Sequence, residues 1–124
     1  MKIIKTHKDL EVYNLSFESA MEIFMVSKSF PKEEIYSLTD QVRRSSRSVS
    51  TNIAEGFRKR RYPKAFVSKL SDAEGEAAET QVWLDFALAC KYITNETHQK
   101  LYEKYDWILG KIVNMINQPD KWKP

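Results

Sequence analysis

Between Gln41 and Lys69 this chain gathers nine of its twenty Lys and Arg residues beside a single acid, Glu55. The stretch carries a formal charge of +8, against −2 for residues 1–40 and −3 for residues 70–124. A net charge of +3 therefore conceals a strongly polarised molecule. Guanidinium groups offer planar, bidentate donors that match phosphate oxygens, and a concentrated positive band draws anionic partners from a distance. The candidate phosphate-binding residues are Arg43, Arg44, Arg47, Arg58, Lys59, Arg60, Arg61 and Lys64. Phe57 and Tyr62 interleave this run and could stack on unpaired bases, so RNA or DNA is the partner the chemistry points to. The competing reading is a solvated helix face whose arginines pair with acids of another subunit or of a protein partner.

Other chemistry lacks its parts. Di-iron bundles need Glu-x-x-His on two helices, but the histidines are His7 and His98, and neither has a Glu three residues before it. Asp72, Glu74, Glu76 and Glu79 crowd one segment without histidine partners, so no metal and no cofactor is expected. Three glycines cannot build a phosphate-cradling loop. A nucleophilic triad would have to recruit His98 across the fold, with Glu74 and Glu79 as loose company, and no Arg is followed closely by His as in some helical ribonucleases. The expectation is a protein that is not an enzyme.

Helices must position these residues. Four segments show steps of three and four: Leu10, Tyr13, Phe17, Ala20, Phe24 and Ser27; Ile35, Leu38, Val42, Ser45, Val49 and Ile53; Phe66, Leu70, Ala73, Ala77, Thr80, Leu84, Ala87 and Lys91; and Leu101, Tyr105, Ile108, Ile112 and Met115. The predicted helices span about 9–28, 32–59, 63–93 and 95–117. Pro31 and Pro63 suit first turns, Asn95 or Thr94 can cap the fourth helix, and Pro119 ends it. No stretch alternates with period two for long. The fold class is all-α: one domain, an antiparallel up-down-up-down four-helix bundle. With Val42 at zero on a helical wheel, Arg43, Arg47, Arg58 and Arg44 fall at about 100°, 140°, 160° and 200°, on the outer face.

Composition bounds the rest. A 42% apolar and 30% charged chain of 124 residues is ordinary for a globular domain. Its one cysteine, Cys90, excludes an internal disulfide and is expected to be buried. With no signal peptide and no apolar run long enough for a bilayer, a cytoplasmic location without membrane partners is expected. Second apolar rows (Trp83, Phe86, Cys90 and Ile93; Tyr102, Leu109, Val113 and Ile116; Ile23, Val26 and Phe30) exceed what one core-facing stripe needs, which points to a homo-oligomer.

The string from Arg43 to Gly56, with Asn52-Ile53-Ala54-Glu55-Gly56 at its centre, resembles the signature of the bacterial four-helix-bundle proteins encoded in 23S rRNA intervening sequences. Phe30-Pro31-Lys32-Glu33-Glu34 and Leu38-Thr39-Asp40-Gln41 upstream, and Glu79-Thr80-Gln81 downstream, extend the resemblance over nearly the whole chain. Ser50 stands where the family often has Pro, leaving the helix straighter, and Ala73-Glu74 where many members have Gly-Ser. The resemblance implies a homopentamer without enzymatic activity. It also implies kinship with retroelement accessory proteins that bind nucleic acid through a basic surface. Asn52 and Glu55 are expected to bond toward an adjoining helix, with Gly56 allowing close contact.

Overall fold

A computed structural model describes residues 3–124. It contains four α-helices: α1 (Glu11–Ser27), α2 (Leu38–Arg58), α3 (Pro63–Ala89) and α4 (Asn95–Ile116). Short 3-10 turns precede α1 and α2 and follow α4, at His7–Asp9, Lys32–Glu34 and Pro119–Trp122. No strand occurs among the described residues. Each helix packs on two others, α1 and α3 both lying against α2 and α4, while the diagonal pairs α1/α3 and α2/α4 keep their Cα atoms more than 8 Å apart. That is the up-down-up-down four-helix bundle. No helix among the described residues is long and apolar enough to cross a membrane.

The seams of α3 and α4 fall where the periodicity places them, except that Lys91, expected to close the α3 seam, lies beyond the helix and is exposed. Phe66, Leu70, Ala73, Ala77, Leu84 and Ala87 meet Leu101, Tyr105, Ile108, Ile112 and Met115 in the core. The seam of α1 is rotated from the expected one. Val12, Ser16, Ser19, Ala20, Ile23 and Ser27 are buried, whereas Phe17 is 51% exposed. Two of these three buried serines are satisfied locally: Ser16 donates to Tyr13 O at 2.7 Å and Ser27 to Phe24 O at 3.0 Å, whereas the buried Ser19 hydroxyl meets no partner among the described residues.

Two helix boundaries also differ from the periodicity. The second helix starts at Leu38, not near residue 32, because Lys32–Glu34 closes as a separate 3-10 turn and the chain bends at Ser37. Glu34 is drawn both ways: one carboxylate oxygen accepts from Leu38 N at 3.3 Å and the other from the Tyr92 hydroxyl at 2.9 Å. That hydrogen bond, followed by burial, pushes the Tyr92 phenol up to about 12. Ile35, expected in the inner seam, is left outside and half exposed. The third helix stops at Ala89. Lys91 takes a left-handed φ of 63°, so that Tyr92 N reaches Ala87 O and Lys91 N reaches Leu88 O, both at 2.9 Å. This is a Schellman ending, and it turns Cys90 to solvent instead of the core. Thr94 caps α4 by accepting from Thr97 N at 3.1 Å.

Small residues on α2 set the helix spacings. Ser50 pairs with Ser16 of α1 at 2.9 Å, and Ser45 pairs with Thr80 of α3 at 2.8 Å, all four hydroxyls being buried. At Gly56 an added Cβ would lie 3.3 Å from both the Leu70 Cδ2 and the Lys69 Cβ. Gly56→Leu is therefore expected to destabilise the bundle by about 1–3 kcal/mol in urea unfolding. Gly110→Ala, where the new methyl meets nothing within 4 Å, should instead add up to about 1 kcal/mol. Lys91→Gly should also stabilise, by about 1 kcal/mol, because it removes the left-handed penalty on a residue with a Cβ.

Candidate nucleic-acid interface

Helix α2 divides the basic residues into two clusters rather than one band. Arg43, Arg44 and Arg47 lie near its start, while Arg58 closes it and leads into Lys59, Arg60, Arg61 and Lys64. Fifteen residues of helix separate Arg43 from Arg58, about 22 Å along the axis. The intervening turns carry Ser48, Thr51, Asn52 and Glu55 instead of cations.

The first cluster is organised by an aromatic ring of α1. The Arg43 guanidinium carbon lies 4.8 Å from the Phe24 ring centroid, that of Arg47 5.7 Å, and the Lys28 ammonium 4.9 Å. Arg43 also donates from Nε to the Ser27 Oγ at 2.8 Å, which fixes its stem between α1 and α2. The ring quadrupole offsets part of the mutual repulsion of three cations. Arg44 is exposed.

The second cluster caps the opposite end of the bundle. Arg60 stacks on Phe57 at 4.0 Å and donates from a terminal guanidinium nitrogen to Phe57 O at 3.1 Å. Arg58, Lys59, Arg61 and Lys64 are exposed. Arg58, Arg60, Arg61, Tyr62 and Pro124 line a cleft of about 340 Å³. An adjoining cleft of about 400 Å³ adds Lys121, Trp122 and Lys123 to Arg60. These two C-terminal lysines are a part of the basic surface that sequence reasoning missed, although the Lys121-Trp122-Lys123 string was there to be seen. Phe57 has a different place from the one expected. It is buried in the core, so Tyr62, 62% exposed, is the aromatic side chain open to a base.

Among the described residues, none of Arg43, Arg44, Arg47, Arg58, Lys59, Arg60, Arg61 and Lys64 has a carboxylate within 4.0 Å. The ninth cation of the stretch, Lys69, does: it meets Glu55 at 3.0 Å, and that hydrogen bond and charge raise its pKa. Glu55 thus bonds to α3. Asn52 does not cross to a neighbour as expected, since its amide donates to Ser48 O of its own helix at 2.9 Å. Ile53 is fully buried, Ala54 half-buried, and Gly56 rests against Leu70. Thr80 pairs with Ser45, while exposed Glu79 accepts from the Trp83 indole at 3.4 Å. His98 is held by Asp85 at 2.7 Å, on the α4 side of α3.

Residues 8–116, with this motif in the middle of them, match the family described as 23S rRNA-intervening sequence protein. The chain belongs to that family. Among solved structures it is similar to the crystal structure of a protein with unknown function from the S23 ribosomal protein family of Bacteroides thetaiotaomicron VPI-5482. The two are 28% identical, with a TM-score of 0.77 over 86% of this chain and 95% of that one. No curated protein matches the chain. In this family member Ser50 continues α2 without a break and uses its hydroxyl on Ser16. A double-mutant cycle of Phe24→Leu with Arg43→Gln should return a coupling of about 0.5–1 kcal/mol in unfolding experiments. A coupling near zero would mean that the ring does not organise the first cluster.

Proposed function

We propose that this family member is a non-enzymatic, cytoplasmic oligomer that binds the phosphate backbone of nucleic acid. The observation that carries this reading is the set of eight cations with no carboxylate partner, gathered in two clusters. Long charged side chains that serve the fold are expected to find acids within it, as Lys69 finds Glu55 and Lys104 finds Glu22. Unpartnered guanidiniums at this density leave a positive potential for an outside anion to satisfy. The bundle-end cluster suits phosphate best, because it combines exposed Arg58, Arg61 and Lys64 with an open Tyr62. RNA is the first candidate, given the rRNA in the family's description. The family resemblance carries the homopentamer, and the exposed apolar residues on α1, α3 and α4 support an oligomer of some size.

A second reading, a protein-interaction scaffold, draws on a different observation. Arg43 is already engaged by Ser27 and Phe24, so the first cluster has a structural use that a freely swinging phosphate clamp lacks.

Gel shifts with structured RNA and duplex DNA across a salt series separate the two. Affinity should fall steeply with salt, each phosphate contact contributing about 0.7–0.9 to the slope of log K against log salt. Arg58→Gln, Arg61→Gln and Lys64→Gln together should lower that slope by about 2–3 while leaving the helical signal intact. Binding indifferent to salt, or unchanged in the triple variant, would remove the nucleic-acid reading and leave the scaffold.

A further inference from the structure

Two apolar stripes remain on the outside of the bundle, on helices that face in opposite directions. On α1 they are Phe17, Met21 and Met25, spaced by four and 51%, 46% and 58% exposed. On α3 the outward row is Gly75, Ala78, Val82 and Phe86, with small residues in its lower half. Since α1 and α3 are diagonal and their stripes face opposite ways, no twofold operation brings the α1 stripe onto the α3 stripe in a single contact. A head-to-tail contact does, and repeated it generates a ring or a filament.

Axial positions can be compared through α2. The Ser16–Ser50 and Ser45–Thr80 pairs, with Gly56 against Leu70, align the three helices. At 1.5 Å per residue, Phe17 then stands about level with Gly75, Met21 with Ala78 to Val82, and Met25 with Val82 to Phe86. Rotation about an axis parallel to the bundle conserves height. Phe17 on one copy would therefore meet Gly75 on the next and Met21 would meet Ala78 and Val82, while Met25 would lie against Val82 and Phe86.

Charge agrees with shape. On the side toward α2, the α1 stripe is flanked by Lys28, Arg43 and Arg47 around Phe24. On its own α2 side, the α3 stripe is flanked by Asp72, Glu76 and Glu79. With copies placed side by side in the same orientation, these two flanks face each other. Within the acidic flank Glu79 accepts from the Trp83 indole and Asp72 lies near Lys69, while the Glu76 carboxyl is pushed up by burial first and then by Glu79 and Asp72.

We infer that copies of this chain assemble head to tail, α1 of one copy on α3 of the next, with Arg43 and Arg47 facing the Glu76–Glu79 row of the neighbour. This rests on the oligomer reading above and adds which surfaces meet. It also divides the two cation clusters: the first is turned between copies, and the bundle-end cluster, repeated in one orientation, forms a positive rim.

Disulfide trapping tests it on the full chain with Cys90→Ser. Met21→Cys and Ala78→Cys lie at exposed or half-exposed positions on diagonal helices whose stripes face opposite ways in one copy, so a bond between them must join two copies. The double variant should give a covalent ladder beyond dimer under mild oxidation. Each single variant should stay monomeric on a denaturing gel, and a mixture of the two singles should give dimer. Dimer from Met21→Cys alone would establish an α1–α1 contact and overturn the inference. An oligomer by light scattering with no ladder would overturn it too, leaving the oligomer reading standing; a monomer by light scattering would end both. As an independent check, Glu79→Lys should lower the oligomer fraction, and adding Arg47→Glu should restore it. Failure of that rescue would overturn the charge pairing.

Discussion

The close approach of α2 to its neighbours is the constraint on which the other features of this bundle depend. Ser45, Ser46, Ser50 and Gly56 are buried on α2, where a typical amphipathic helix would carry Leu or Ile. Small side chains draw the backbones together, but each buried hydroxyl then needs a partner or costs about 1–3 kcal/mol. The chain answers with hydroxyl-to-hydroxyl pairs, Ser16 with Ser50 and Ser45 with Thr80, and with donation to carbonyls one turn back. The spacing leaves the arginines no room inside. Arg43 and Arg47 are pressed onto the face of Phe24, and the remaining cations go outward or to the bundle end.

How far the fold was legible depended on whether the inner residues of each helix were apolar. In α3 and α4 they are Phe, Leu, Ala, Ile, Tyr and Met with single exceptions such as Thr80, and periodicity found the buried seam directly. In α1 the inner residues include Ser16, Ser19 and Ser27, while Phe17, Met21 and Met25 lie outside. A rule that puts the largest apolar side chains inside therefore rotates α1 toward its outer face. Ile35 misled in a similar way, being in phase with Val42 yet beyond a chain bend that no proline or glycine marks. Cys90 sits in an apolar run, but the run ends in a left-handed turn built on Lys91, where a glycine would have announced it.

The candidate site was legible as composition and less so as geometry. Charge counting finds the arginines without knowing where a helix of 21 residues places its two ends. What looked like one band is two clusters because Ser48, Thr51 and Asn52 fill the middle of α2 and Glu55 commits Lys69 to an intramolecular pair. The Lys121-Trp122-Lys123 string is plain in the sequence, but no local window ties it to Arg60, because the chain must pass through two more helices before it brings them together.

The antiparallel run of α2 between α1 and α3 gives this division a consequence. Its first turns stand level with the ends of α1 and α3, where Lys28 and the upper apolar stripes lie, and its last turns stand level with their beginnings. A side-by-side assembly in one orientation would place the first cluster along the seam between copies and the second on a shared rim. Cations in the seam meet acids in a partly desolvated setting, where pairing favours register and partner choice more than bulk affinity. Cations on the rim stay hydrated and separately weak. Repetition around the axis compensates, since a single polyanion touching one copy finds the next at high effective concentration. One basic segment would thus serve two electrostatic purposes, separated by a helix long enough to hold them apart.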